Sequence, residues 1–472
     1  MNKSVLEGKQ HIHFIGIGGS GMYPLAQILH AKGYHLTGSD NNETETLQAV
    51  RSMGIEVKPL GQRAENIEGA DLIVHTSAIM ADNPELMAAK ASGVPVLERA
   101  ELMGIVSSWY NDAVCVTGTH GKTTTTSMIV QILAEAGIDL SALVGGKLPI
   151  IHGSGCVGKS DIFVCESCEF QDHFLQLEPD TAVILNIDAD HLDYFGTLEN
   201  IIRSFHKFCT MASKSVIYNG DDANTLKAIE GVTGKELISF GAGEGNDYRA
   251  VNIRHLSGSR TAFTVARRGE TLGEITLQVP GEHNVLNALA AVAACDGLGL
   301  TFAQIKAGLE AFRGAGRRFE IKGVVNGITV ADDYAHHPTE LTATLKAAKA
   351  MDYKRVIAVF QPFTFSRTVQ HLEEFRDALE IADIAVLTDI MGSREKNTYG
   401  IYTRNLAEIM KNAVYFPQDE SAEYTDERKY QNFDDVTAWV IDHAQEGDLV
   451  LTMGCGDINK VAKLILERMK GG

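Results

Sequence analysis

Residues 113–126 read AVCVTGTHGKTTTT. An apolar run suited to a buried strand leads into a loop punctuated by Gly118 and Gly121, after which Lys122 and Thr123 open a helical stretch. That order commits this part of the chain to a strand–loop–helix unit holding a phosphate. Glycines let backbone N–H groups close on phosphate oxygens, the helix N-terminus favours negative charge, the lysine reaches the outer phosphates and the threonine hydroxyl can ligate Mg²⁺. Gly118, Thr119, His120, Gly121, Lys122, Thr123 and Thr124 are therefore the expected nucleoside triphosphate site. The spacing departs from the strict GxxxxGK[ST] pattern, because Val116 stands where the leading glycine would be. An ordinary glycine turn before a helix would explain neither the lysine nor the threonine run.

At 472 residues the chain exceeds one ordinary core, and a prior of ~150 residues per domain suggests about three. Apolar residues make up 44% and charged residues 22%, as in a water-soluble enzyme, and no apolar run approaches the ~20 residues of a membrane helix. The start, MNKSVLEGKQ, lacks the apolar core of a signal peptide, so a cytoplasmic protein without membrane insertion is expected. A net charge of −19 repels nucleic acid, so no nucleic-acid partner is expected, and anionic substrates must sit in locally basic pockets. The seven cysteines suit reduced, buried thiols. Cys165 and Cys168 form a CxxC without a second pair, which reads as packing at a strand end rather than zinc or redox chemistry.

Three α/β blocks follow from the patterning, with expected boundaries 1–109, 110–318 and 319–472. The first opens with a strand over 11–16 that runs into Gly16, Gly18, Gly19, Ser20 and Gly21, then a helix, then a strand ending at Ser39-Asp40. This is a βαβ dinucleotide-type fingerprint, with an acid roughly 20 residues after the glycines. Thr76 and Ser77 follow a later strand. The fingerprint supports a diphosphate ligand without saying which nucleotide.

In the second block a strand over 161–165 delivers Glu166, and one over 182–187 leads to Asp188-Ala189-Asp190-His191. Carboxylate, imidazole and loop threonine, that is Glu166, His191 and Thr123, can surround Mg²⁺ near the phosphates. Residues 248–279 alternate as an antiparallel meander, and a helix follows from His283-Asn284. The third block is another doubly wound unit. Its first strand ends in Asp332-Asp333-Tyr334-Ala335-His336-His337-Pro338 and its second in 361–367, which closes on Arg367.

Taken in order, GIGGSGM (16–22), GTHGKTT (118–124), Glu166, Asp190-His191, His283-Asn284 with Asn287, Arg317-Arg318-Phe319 and DDYAHHPTE (332–340) resemble the Mur ligases across the whole chain. The first and last blocks are similar to the alanine-adding branch. The resemblance implies three α/β domains: a Rossmann-like one for a UDP substrate, a P-loop ATPase-like one, and a Rossmann-like one on the amino-acid side. It implies ATP and Mg²⁺ as cofactors, UDP-N-acetylmuramate and L-alanine as substrates, an acyl-phosphate intermediate, and a monomer or weak homodimer. Lys122, Glu166, His191, His336 and Arg367 would be catalytic. Asn287 would contact adenine, Asp333 the ribose, and Arg318 would lie near the nucleotide. The UDP moiety would meet the Gly16–Gly21 loop, Ser39, Asp40, Thr76 and Ser77, with Tyr334 also on the substrate side. Two departures stand out. His206 replaces the lysine that some relatives carbamylate for a second metal, and Phe363 and Thr364 stand where many alanine-adding members carry basic or histidine residues, so Arg367 alone would hold the amino-acid carboxylate.

Other classes fit parts of the chain. A ligase reattaching recycled peptides to UDP-N-acetylmuramate belongs to the same superfamily but carries different signatures. A nicotinamide-dependent oxidoreductase would use the GxGxxG and Asp40 yet leave GTHGKTT unexplained. A non-enzymatic nucleotide switch would leave the acids and histidines at three domain edges without a use.

Overall fold

The run HIHFI forms the strand His11–Ile15 and is buried beyond its first residue, as parallel strands are when helices cover both sheet faces. The computed structural model describes residues 3–393, 395–417 and 431–471. His11–Ile15 is the centre of a five-stranded sheet, all parallel, in the spatial order Glu56–Val57, His35–Ser39, His11–Ile15, Leu72–His75, Val96–Glu98. The winding reverses between His11–Ile15 and Leu72–His75, which is where such sheets open a crevice for ligands.

The second sheet has ten strands in the order Glu270–Leu277, Thr261–Arg267, Tyr248–His255, Glu236–Gly241, Ser215–Asn219, Thr181–Ile184, Asp112–Thr117, Ile162–Glu166, Ser141–Leu148, Gly153–Cys156. From Tyr248–His255 to Ser141–Leu148 every neighbour is parallel, and Gly153–Cys156 turns back antiparallel. The three strands after residue 247 neighbour one another through connections too short for a parallel crossover, so they form a meander. The helix Lys122–Glu135 packs closely on the helix Phe302–Ala311, because a Cβ on Gly308 would lie 2.5 Å from Ile132 Cα. Only glycine allows that approach.

The third sheet runs Glu320–Val325, Ile328–Asp333, Leu449–Met453, Val356–Phe360, Ile384–Leu387, Ala413–Tyr415 and is parallel except for its first strand. That strand is joined to its neighbour by Asn326-Gly327, at φ of 51° and 74°, the two-residue turn whose twist matches a hairpin.

The fold is thus α/β, with three sheets dominated by parallel strands. By contacts the chain gathers into two units. One comprises Met1–Asn252, Phe263–Ile275 and Leu286–Phe312, and the other Ile253–Ala262, Thr276–Val285 and Arg313–Gly472. Phe14, Phe163, Phe174 and Phe205 are fully buried in the first, Phe360 and Phe375 in the second. Among the described residues no helix is long and apolar enough to cross a membrane.

Candidate functional site

Asp112–Thr117, Ile162–Glu166 and Thr181–Ile184 are adjacent and parallel, so the segments after them leave one sheet edge together. Ligands bind at such carboxyl edges. Gly118 and Gly121 have φ of 145° and 87°, backbone that side chains with a Cβ avoid. A Cβ on Gly121 would lie 2.5 Å from Asn287 Oδ1, which places Asn287 against the loop. Thr119 N donates to Asn186 O (3.1 Å), His120 N to Asn186 Oδ1 (2.8 Å), and Asp188 N to Thr119 Oγ1 (2.8 Å). The loop is held open as a cradle by the neighbouring strand's exit. Gly121 caps the helix Lys122–Glu135, with Thr123 buried and Thr124 half-buried in its first turn.

Lys122 Nζ donates to Gly118 O (2.5 Å), Thr119 O (3.0 Å) and Glu169 Oε1 (3.0 Å), with Glu169 Oε2 at 2.9 Å. Burial alone would lower this ammonium's pKa. Glu169, helped by Cys168 and Glu166, outweighs burial and holds it above the ordinary lysine range. Sequence reading missed Glu169, which lies on the segment after the Glu166 strand and is 3% exposed.

Thr123 Oγ1 donates to Glu166 Oε2 at 2.8 Å, and Gly145 N donates to the same oxygen at 2.9 Å. A Cβ on Gly145 would fall 2.8 Å from both Thr123 Oγ1 and Glu166 Cδ. This cradle admits no side chain. Hydroxyl and carboxylate oxygens are the hard donors a Mg²⁺ ion takes, so the pair fits that ion. His191 has other partners in this arrangement: its ring lies 4.7 Å from that of Phe170, and its Nε2 is 3.7 Å from Asp190 Oδ2. Its φ of 53° is unusual for a residue other than glycine. His206 Nδ1 lies 2.9 Å from Ala228 O. Cys165 packs against Cys115 (Sγ–Sγ 3.5 Å), and both are free thiols, as is Cys168.

At the first sheet's edge, Gly16 N and Ile17 N donate to Ser39 O (2.9 and 3.0 Å), Gly19 N donates to Gly16 O (3.1 Å), and Gly18 N donates to Asp40 Oδ2 (2.9 Å). Gly16, at φ 83°, faces Thr76, since a Cβ there would meet Thr76 Cγ2 at 2.7 Å. A Cβ on Gly21 would approach Arg99 Cδ to 3.2 Å. Ser20 is exposed, and Gly19, Asp40, Thr76 and Ser77 are half-buried. Ser39 differs: its hydroxyl is fully buried and donates inward to Glu85.

In the second unit, Asp333, Phe360 and Met453 end three strands in register, so Tyr334–His337, 361–367 and 454–457 leave one edge. Arg317 and Arg318 lie over the Tyr334 ring, 4.9 and 5.1 Å from its centre. Arg317 Nε donates to buried Asp332 Oδ2 (3.0 Å) and its Nη2 to Gly454 O (2.6 Å). Asp333 accepts from Phe319 N (2.8 Å) and Ala335 N (2.7 Å). Burial pushes its carboxyl up to about 6, against the opposing charge of Arg318. His336 Nδ1 donates to Tyr334 O at 3.0 Å and lies 3.4 Å from Glu340 Oε2. Arg367 sits on the short helix Phe365–Gln370, near enough to Cys455 to oppose the burial that raises that thiol to about 12.

No motif announced a cavity of about 380 Å³ in this unit, lined by His255, Arg260, His283, Lys346 and Met351 among others. His283 is exposed to solvent there.

Three family models match successive parts of the chain: the Mur ligase family catalytic domain over 11–110, the Mur ligase middle domain over 116–295, and the Mur ligase glutamate ligase domain over 317–456. The chain belongs to the Mur ligase family. It is 42% identical to the UDP-N-acetylmuramate–L-alanine ligase of Caldanaerobacter subterraneus over 98% of this chain and 99% of that protein. Among solved structures it is similar to a UDP-N-acetylmuramate–alanine ligase from Thermotoga maritima (TM-score 0.81, 28% identity, 98% and 99% covered). A murein peptide ligase from Psychrobacter arcticus matches with TM-score 0.73 and 26% identity over 98% of both chains.

Proposed function

We propose that this chain joins L-alanine to the carboxylate of UDP-N-acetylmuramate with ATP, in the cytoplasm. A carboxylate is a poor electrophile until its oxygen carries phosphate. The γ-phosphoryl group passes from ATP to that oxygen, ADP leaves, and the alanine amine attacks the carbonyl carbon and expels phosphate as the amide forms. Phosphoryl transfer needs alignment and charge neutralisation more than covalent help. The observation that carries the reading is the loop of Gly118 and Gly121 with Lys122 and Thr123 behind it and Glu166 hydrogen-bonded to Thr123.

In this reading Thr119, His120 and Thr124 complete the phosphate cradle and Asn287 meets adenine. Thr123, Glu166 and His191 would hold Mg²⁺, which would supply positive charge at the phosphates. The Gly16–Gly21 loop, Asp40, Thr76 and Ser77 take the UDP moiety, and Tyr334, His336 and Arg367 serve the acyl phosphate and the amino-acid carboxylate. The corresponding domains are 1–109, 110–318 and 319–472. The nicotinamide reading has no place in a Mur ligase.

ADP release tests the proposal directly. It should require UDP-N-acetylmuramate together with L-alanine. Release with a free tripeptide and none with L-alanine would replace the proposal with the peptide-recycling activity.

Asp333 supplies a pH test. As an acceptor for ribose hydroxyls it is strongest when ionised, and burial raises its carboxyl to about 6. Below that pH the protonated fraction grows, so the KM for ATP should rise as pH falls through about 6, while Asp333→Asn should show a raised KM with little pH dependence there. An unchanged wild-type KM between pH 7 and 5 would remove Asp333 from the ribose site.

A further inference from the structure

Behind the first sheet's glycine loop lies a buried polar chain that no motif marked. Glu85, in the first turn of the helix Pro84–Ala91, is completely buried. Its Oε1 lies 2.7 Å from His13 Nε2, and both its oxygens accept from Ser39 Oγ at 2.8 Å. Asn66 Nδ2 donates to Oε2 at 3.1 Å. The links continue from His13 Nδ1 to Thr37 Oγ1 (2.7 Å), on to His11 Nε2 (2.9 Å), and from His11 Nδ1 to Gly69 O (2.7 Å). One carboxylate therefore ties together the strands His11–Ile15 and His35–Ser39 and the short helix Ala64–Ile67.

A buried charge network of this kind adds little net stability over an apolar filling, but when every partner is satisfied it fixes geometry. The geometry fixed here is that of Ser39. Its carbonyl receives the N–H groups of Gly16 and Ile17, and the next residue, Asp40, receives that of Gly18. Three loop amides are thus set by a strand end whose Ser39 hydroxyl is anchored on Glu85.

We propose that Glu85 is a positioning residue for the UDP substrate: through Ser39 it holds the glycine loop in the shape that receives the diphosphate, without touching the ligand. This rests on the assignment of the UDP moiety to that loop. Glutamine at position 85 can turn its amide N–H toward His13 and its oxygen toward Ser39 and Asn66, so it should preserve the network. Alanine leaves all three buried groups without their partner.

Steady-state kinetics with each substrate varied in turn give the test. Glu85→Ala and Ser39→Ala should each raise the KM for UDP-N-acetylmuramate about tenfold or more, the scale of a misplaced binding group, with KM for ATP and kcat changing less than about twofold. Glu85→Gln should restore the UDP-substrate KM to within about threefold of wild type. Ser39→Ala removes a single hydroxyl and carries the test should Glu85→Ala not fold. Equal increases in both KM values, or a folded Glu85→Ala protein with a wild-type KM, would overturn the positioning role. Gly18→Val, measured alongside, separates the failures. If it too leaves the UDP-substrate KM unchanged, the substrate assignment falls. If it raises that KM while the Glu85 and Ser39 variants do not, only the positioning role falls.

Discussion

Replacing Lys122 with alanine should cut ADP formation by on the order of 10²-fold or more while UDP-N-acetylmuramate still binds. The ammonium lies within the loop, on the carbonyls of Gly118 and Thr119, where phosphate oxygens would be its natural partners. A side effect must be separated from the catalytic one. Glu169, whose side chain is 4% exposed, loses its counter-charge in this variant, and breaking a buried pair from one side costs about 3–5 kcal/mol. Lys122→Ala combined with Glu169→Gln removes the unpaired carboxylate. The double variant should recover stability in chemical denaturation and remain inactive. Turnover near wild type in either folded protein would show that this loop does not serve the transferred phosphoryl group.

What could be read from the sequence, and what could not, follows the range of the signals. The phosphate loop was legible because its glycines do a local job: φ of 145° and 87° at Gly118 and Gly121 leave few alternatives to glycine. Likewise the apolar runs ending in Glu166 and Asp333 announced parallel strands, since strands buried on both faces read as continuous apolar runs. Partners brought in by the fold gave no such signal. Glu169 meets Lys122 across 47 positions, and nothing local distinguishes it from an exposed acid.

Other features had a signal that went unread. The edge strand Glu320–Val325 is announced by Asn326-Gly327, a dipeptide suited to a tight hairpin. Gly145 sits in SALVGGKL, where paired glycines suggest a turn, although the structure uses that position to let the backbone approach Glu166. His13 and Thr37 are polar residues within otherwise buried strands, and a polar side chain at such a position needs a partner. That requirement points to a buried network but does not identify Glu85. Ser39 shows a different limit: its place at a strand end suggested a ligand contact, its hydroxyl bonds inward to Glu85, and sequence position alone does not say which way it turns.

Gly18→Val should raise the KM for UDP-N-acetylmuramate on the order of 10²-fold, the cost of moving a binding loop by about 1 Å, and leave that for ATP nearly unchanged. Even a Cβ at this position would lie 2.9 Å from Asp40 Oδ2 and 3.3 Å from Leu47 Cβ and Cδ1. Valine adds two methyl groups to that contact, so either the loop moves outward or Asp40 swings away and releases the Gly18 amide it now accepts from at 2.9 Å. Both responses alter the loop on which the diphosphate would rest. Gly18→Ala should fall between the two, because one methyl group meets the end of a flexible side chain that can yield by a few tenths of an ångström. The central loop of Gly118 to Thr124 is built on a different sheet, so the ATP constant has no reason to follow. If the valine variant damages both constants equally, UDP and ATP do not occupy separate loops, and assigning one nucleotide to each sheet is wrong.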